Sequence, residues 1–299
     1  MPRIFTLSDL HVDFPANMDY MLSLPDIKYK SDVLIVAGDI SDSMDHLRTI
    51  LSSLTRKFHT VTFVPGNHEL WVRRKSAADS IAKFHTIIDL CEELNVQTRP
   101  FAVGEADRRV WITPLFSWYR TDETDPDTLF IPKAGEDLEN SPWTDNYLCR
   151  WPAQINTSRR VADYFLQINR QHIYQSYDAP LITFSHFLTR RELIFGNLDM
   201  ARQYANGRET IPRYPQDPVP EFNFSRVAGC AQIDHQLRQI GAKVHIYGHQ
   251  HRNRNRLIDG VHYLSKCLGY NRERSMLGKT VQPQLVWHDG IFLPPAEEL

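Results

Sequence analysis

The chain has 299 residues, 42% hydrophobic and 23% charged, with a formal net charge of −2. That composition can bury a sizeable core and excludes a disordered chain, and the near-neutral balance excludes a global field for nucleic acid or an anionic membrane. Four cysteines, Cys91, Cys149, Cys230 and Cys267, form no CxxC pair, which argues against a zinc knuckle or thioredoxin-like site and for unpaired thiols in a reducing compartment.

The N-terminus, MPRIFTLSDLHVDF, is broken by charge too early for a signal-peptide core, and no apolar run is long enough to span a bilayer. A soluble, cytoplasmic protein is expected. Strands and helices then alternate. RIFTL runs into SDLH, and DVLIVA runs into GDISD. A helix is expected over 43–58, where Met44, Leu47, Ile50, Leu51 and Leu54 recur at helical spacing. TVTFV runs into PGNHE, and a second helix over 75–95 carries Ile81, Phe84, Ile88 and Leu94 on one side. RRVWITPL is a further strand, followed by an aperiodic stretch, 117–155, with TDETDPDT and KAGEDLENSPW. A third helix is expected over 157–173, then LITF runs into SH. A second aperiodic stretch, 187–228, contains GRETIPRYPQDPVPEFN. KVHIY then runs into GHQH, and VHYLS and QLVWH close the series. The alternation predicts an α/β fold. With no repeat and no Gly/Ser linker, residues 1–299 are expected to be a single domain with insertions at about 117–155 and 187–228. Loops that long in a compact domain are either functional lids, which could form a cap over a site, or disordered.

Five strand ends carry Asp9, His11, Asp39, Asn67, His68, His186, His249 and His251. A lone histidine at such a place is more often a hydrogen-bonded structural residue, and His245, inside its strand, is expected to be packed. The set is different, because ligands gather at the carboxyl ends of α/β strands. Residues i and i+2 share a face, which aligns Asp9 with His11 and His249 with His251. Carboxylate and neutral imidazole suit Mn, Fe or Zn. Without a cation, Asp9 and Asp39 brought together would repel by about 4 kcal/mol at about 4 Å and an effective dielectric near 20. The donors are too many for one ion, and one carboxylate shared between two ions solves the count.

In order, SDLH, GDISD, GNHE, SHF and GHQH resemble the calcineurin-like metallophosphoesterase family, whose pattern is D-x-H, G-D, G-N-H-E/D, a lone H and G-H-x-H. The resemblance covers residues 4 to about 270. It implies a four-layer α/β/β/α sandwich of two mixed sheets with the metal site at strand carboxyl ends. It implies that Asp9, His11, Asp39 and His251 hold one divalent ion. Asp39, Asn67, His186 and His249 would hold a second, with Asp39 bridging. The implied reaction is phosphoester hydrolysis by a hydroxide between the two ions. His68 would be the catalytic histidine, touching the phosphoryl oxygen or protonating the leaving group. Asp42 matches an aspartate that hydrogen-bonds that histidine, with a helix N-cap as the alternative.

Two departures narrow the family. GDISDSM has Ser43 and Met44 where phosphoprotein phosphatases carry Arg-Gly. Asp42 stands where purple acid phosphatases place a tyrosine ligand, which favours two divalent ions, Mn²⁺ first, then Fe²⁺ or Zn²⁺. Arg190 and Arg191, just after His186, are candidate substrate contacts. Arg252, Arg254 and Arg256 alternate along an extended segment that suits a nucleic-acid backbone or, more commonly, a solvated loop. Trp71, Trp118, Tyr119 and Trp143 are candidate base-stacking rings, although packing is their commoner use. The expected substrate is a small-molecule or nucleotide phosphoester, monoester or diester. A nuclease of the same family is the alternative. A metal-free scaffold is disfavoured because no ligand is missing.

Overall fold

Short runs of Val, Ile, Leu and Phe become strands buried on both faces, as parallel strands covered by other layers must be. The computed structural model describes residues 2–73, 77–137, 143–214, 219, 221–277, 281–293 and 297–298. Among these, the strands in chain order are β1 (Arg3–Leu7), β2 (Val33–Val36), β3 (Thr60–Phe63), β4 (Phe101–Val103), β5 (Val110–Pro114), β6 (Leu181–Phe184), β7 (Val244–Tyr247), β8 (Arg254–Ile258), β9 (Val261–Ser265), β10 (Gln284–His288), β11 (Ile291–Phe292) and β12 (Glu297–Glu298). One sheet has the order β11-β10-β1-β2-β3 and the other β12-β8-β9-β7-β6-β5-β4. Both are mixed. β1, β2 and β3 are parallel, with β10 antiparallel to β1. β5, β6, β7 and β9 are parallel, with β4 and β8 antiparallel at the flanks.

The two sheets and the helices beside the smaller one share one continuous apolar core, in which Leu7, Leu34 and Val36 join Ile112, Ile182 and Ile246. Helix Met44–Lys57 adds Leu47, Ile50, Leu51 and Leu54 to it, the stripe read from its spacing. On the outer face of the larger sheet, Ile233 and Leu237 of helix Ala231–Gln239 pack with Leu181 and Tyr263. Helices therefore cover both outer faces, and the architecture is the expected four-layer sandwich.

Helix starts follow their caps. Ser43 accepts from the His46 amide and Asp79 from the Ala82 amide. The second expected helix therefore begins at Ser80, not at 75. Helix Ser158–Ile168 is followed at Asn169 by a separate turn, Arg170–Ile173. The Asn169 side chain grips the backbone of Phe116 on both its N–H and C=O, at 2.8 Å each, which anchors that junction. Helices Pro15–Leu22, Leu198–Tyr204 and Ala231–Gln239 were not legible in the pattern, nor were β4 and β8.

The two aperiodic stretches are ordered against each other where they are described. Ile131 N–H donates to Ser225 Oγ at 3.0 Å, Ala134 N–H to the Ile211 carbonyl at 2.9 Å, and Arg226 pairs with Glu136 at 2.8 Å. Parts of both, 138–142 and 215–218 with 220, lie outside the described residues.

Candidate metal centre

The strand ends β1, β2, β3, β6 and β7 open on one edge of the two sheets, and each delivers its expected donors there. The chain turns sharply to do so. Asp9, His11, Asp39, His249 and His251 all have positive φ, from 43° to 74°. A left-handed backbone costs a non-glycine residue about 1–3 kcal/mol and persists only where surroundings enforce it. The enforcement is visible: Asp9 N–H donates to the Gly38 carbonyl at 2.9 Å and His11 N–H to the Asp39 carbonyl at 3.0 Å. Strand alternation is thus not what aligns Asp9 with His11, because β1 already ends at Leu7. The left-handed turns beyond the strand do it.

Asp9, His11, Asp39 and His251 each offer one donor atom, and all four atoms lie within 4.8 Å of one another. His11 Nε2 and His251 Nε2 are 2.8 Å apart, and His251 Nε2 is 3.5 Å from Asp9 Oδ1. A second group adjoins. His186 Nε2 lies 3.1 Å from Asn67 Oδ1 and 3.4 Å from Asp39 Oδ2. The His249 ring is 5.2 Å from that of His186, centre to centre. Asp39 Oδ2 is also 3.9 Å from His11 Nε2 and 3.8 Å from His68 Nε2, so this carboxylate stands between the two groups.

Hydrogen bonds on the far ring atoms decide which nitrogen is left for a metal. His251 Nδ1 donates to Glu273 Oε2 at 3.0 Å, His186 Nδ1 to the Ala37 carbonyl at 2.9 Å, and His249 Nε2 to the Val227 carbonyl at 2.9 Å. These leave Nε2 of His251 and His186 and Nδ1 of His249 as lone-pair atoms.

The electrostatics ask for a cation. Asp9 and Asp39 are fully buried. Burial, with Asp39 nearby, lifts the Asp9 carboxyl above its ordinary range. Burial also opposes ionisation of Asp39, yet the His186 and His68 rings hold its carboxyl well below the usual range. Burial should likewise lower His186, but Asp39 and Asp9 bring it up to about 9. Burial and a neighbouring ring keep His11 and His249 well below the ordinary imidazole value. The neutral rings of His11 and His249, beside two buried carboxylates that draw positive charge onto His186, are the donor set of a borderline divalent metal, so the residues fit the ion the resemblance implies.

Glycine makes room for these groups. A Cβ on Gly66 would meet Asp39 Oδ1 at 2.2 Å and the His186 ring at 2.8 Å.

Three supporting carboxylates were not foreseen. Glu69 of GNHE is buried and accepts from the backbone N–H groups of Asp39, Ile40, Ser41 and Gly66 at 2.6–2.9 Å. It staples the loop after β2 to the loop after β3, while burial and Asp39 push its carboxyl up to about 7. Its place in the motif was the available signal. Glu273 and Asp145 lie in stretches without a motif. Asp145 Oδ1 accepts from Asn67 Nδ2 at 2.9 Å and from Trp71 Nε1 at 2.6 Å, and its Oδ2 from Trp143 Nε1 at 2.7 Å.

Other expectations need correction. Asp42 neither bonds His68 nor caps the helix. Its carboxylate takes the Arg73 guanidinium at 2.5 Å, and Ser43 is the cap. Arg190 pairs with Glu192 at 2.6 Å and Asp259 at 3.0 Å, and Arg191 donates to the Thr128 carbonyl at 2.6 Å, so both serve the fold. Arg254 and Arg256 do share a face of β8, but they turn inward onto the carbonyls of Leu193, Glu192 and Gly196 at 2.5–2.8 Å. Trp118 and Tyr119 are buried and stacked on each other. The four cysteines are unpaired. His245 is buried in β7 against Thr183 and Ser185, as its position inside the strand suggested.

Fold and site together define a binuclear-type phosphoesterase scaffold. The chain belongs to the calcineurin-like phosphoesterase family, whose match spans residues 2–253, and it is a metal-dependent phosphoester hydrolase. It is 27% identical, over 91% of its length and 79% of the relative's, to the acyl-carrier-protein phosphodiesterase PptH of Mycobacterium tuberculosis. The crystal structure of that organism's phosphopantetheinyl hydrolase PptH superposes with a TM-score of 0.75 at 24% identity, covering 98% of this chain and 99% of that one, which is a likeness of fold. Among the described residues, no helix is long and apolar enough to cross a membrane.

Proposed function

We propose that the chain hydrolyses a phosphodiester that joins a pantetheine-type arm to a carrier protein, using two divalent ions, Mn²⁺ by preference. The observation that carries the two-ion reading is Asp39, whose Oδ2 stands 3.4 Å from His186 Nε2 on one side and 3.9 Å from His11 Nε2 on the other. Asp9, His11, Asp39 and His251 would hold one ion and Asp39, Asn67, His186 and His249 the other. Bound there, such ions polarise phosphoryl oxygens and lower the pKa of water to about 7. The protein's own part is positional. Asp39 is fixed by its backbone N–H on Glu69 and by accepting the His68 N–H at 3.0 Å. His68, whose side chain is 16% exposed against 10% for His251 and 2% for Asp39, rests on Trp71 at 3.7 Å between ring centres. From there it donates a proton to the leaving oxygen.

The carrier-arm substrate is supported by the relative's activity and by a cavity of about 390 Å³ lined by Ile194, Phe195, Met200, Ile211, Phe222 and Phe224. Its wall is shared with the site, because Phe224 lies 5.4 Å from the His249 ring and Phe222 stacks on Trp143. The paired stretches around it form the cap. The inward-facing Arg254 and Arg256 withdraw the basic stripe that would have favoured a nuclease. The unpaired thiols accord with a reducing, cytoplasmic setting.

The test is purified protein with Mn²⁺, a chromogenic diester, the matching monoester, and a phosphopantetheinylated carrier protein followed by intact mass. Release of phosphopantetheine with return of the apo carrier is expected. No turnover of any ester with any divalent metal sinks the assignment, and an untouched carrier beside cleaved nucleotide diesters sinks the substrate.

A further inference from the structure

A carboxylate accepts hydrogen bonds and donates none, whereas an amide does both. Asp145 uses that difference on Asn67. Its Oδ1, 2.9 Å from Asn67 Nδ2, obliges the amide to present NH₂ to Asp145 and Oδ1 to His186 Nε2, 3.1 Å away. Rotating the amide by half a turn would set its oxygen against the carboxylate and its NH₂ toward the donors. The same Asp145 Oδ1 holds the Trp71 indole at 2.6 Å, and the Trp71 ring lies 3.7 Å from that of His68. Asp145 Oδ2 holds Trp143, whose ring meets His249 edge-on at 5.7 Å. The short helix that carries Asp145, Asp145–Leu148, is itself tied down, since Val72 N–H donates to the Leu148 carbonyl at 2.8 Å and Ser80 N–H to the Arg150 carbonyl at 2.7 Å.

We infer that Asp145 is a positioning residue that turns the Asn67 amide oxygen toward the second ion and, through Trp71, seats the His68 ring. The inference rests on the two-ion reading above. It gives the first insertion a role inside the site in addition to covering it. Partners of this kind change metal affinity by roughly 10–100-fold when removed.

The test uses full-length protein, Mn²⁺ titration, metal analysis and electron paramagnetic resonance, none of which needs turnover. Wild type should take up two Mn²⁺ per chain and give the exchange-coupled signal of a pair. Asp145→Leu should keep the first ion, weaken the second by roughly 10–100-fold and give an isolated Mn²⁺ signal. Asp145→Asn, which keeps an acceptor for Asn67 but turns an NH₂ on Trp143, should fall between. The exchanged pair Asn67→Asp with Asp145→Asn restores one donor facing one carboxylate, with loss of the Trp71 hydrogen bond, whose N–H then faces an NH₂. It should recover the coupled signal that Asn67→Asp alone, with two facing carboxylates, loses. If Asp145→Leu does not fold, this last comparison carries the test. Retention of the coupled signal at wild-type Mn²⁺ concentrations in Asp145→Leu overturns the inference, as does loss of both ions together with a fall in melting temperature. A wild type that binds a single ion sinks the two-ion reading itself.

Discussion

His68 shares its loop with Asn67 but differs in what its ring can reach. It stands 3.8 Å from Asp39 Oδ2 and is partly open to solvent, which suits a group that hands over a proton. His68→Ala should lower kcat by about 10²–10⁴-fold, the usual worth of a positioned acid, while metal content stays unchanged. Glu273 acts through His251 Nδ1, so Glu273→Ala should weaken the first ion by roughly 10–100-fold, read by Mn²⁺ titration. His245 is a different kind of buried histidine. Burial lowers its pKa to about 3 from an ordinary 6.5. The fold therefore prefers the neutral ring: its contribution is complete above pH 6.5 and drains away as pH falls toward 3. Relative to His245→Gln, metal-stripped wild type should lose about 1.4 kcal/mol of unfolding free energy per pH unit in that window, measured by denaturant titration. Equal slopes would mean that another group dominates. Residue identity was the most legible level. His245 and the eight strand-end residues were readable because each is set by its immediate neighbours. Asp42 was not, because which partner it finds depends on where Arg73 falls.

At the level of elements, the turns after β1, β2 and β7 matter more than the strands. Left-handed Asp9, His11, Asp39, His249 and His251 aim donors that an extended strand end would have splayed. Close packing around them leaves no slack at Gly66, where a Cβ would sit 2.2 Å from Asp39 Oδ1. Gly66→Ala should abolish metal uptake while far-ultraviolet circular dichroism stays near wild type. Metal uptake at wild-type affinity would show that the loop can yield. Strands β1, β2, β3, β5, β6, β7, β9 and β10 and the three long helices were legible from apolar spacing. β8 was not, because RNRLI alternates two arginines inward, at Arg254 and Arg256, and only the carbonyls of 192–196 make that burial affordable. Helix Ala231–Gln239 escaped for a similar reason: its buried stripe is only Ile233 and Leu237 with Asp234.

For the whole molecule, the site lies at the meeting edge of both sheets, so metal binding and global stability are linked. An ion that binds only the folded chain adds about 4.1 kcal/mol at a thousandfold excess over its Kd. Chelation should lower the melting temperature, and Mn²⁺ should restore it. An unchanged melting curve after verified metal removal would place the donors outside the cooperative unit. The cap carries a separate expectation. Ile211→Trp, which fills the apolar cavity, should raise KM for a carrier-protein diester several-fold while sparing a small chromogenic diester. Equal effects on both would argue against that cavity as the seat of the arm. By itself the sequence determined the family, the two-sheet architecture and the order of the strand-end residues that meet at one edge, because these are written in contiguous strand-plus-turn blocks whose chemistry is local. Only the tertiary structure decided how the donors are aimed and held. Asp145 reaches Asn67 across 78 residues and Glu273 reaches His251 across 22, and the arginines after His186 and His249 are drawn inward by carbonyls and carboxylates from elsewhere in the chain. Such contacts depend on the path of the whole chain, and no short stretch of sequence records it.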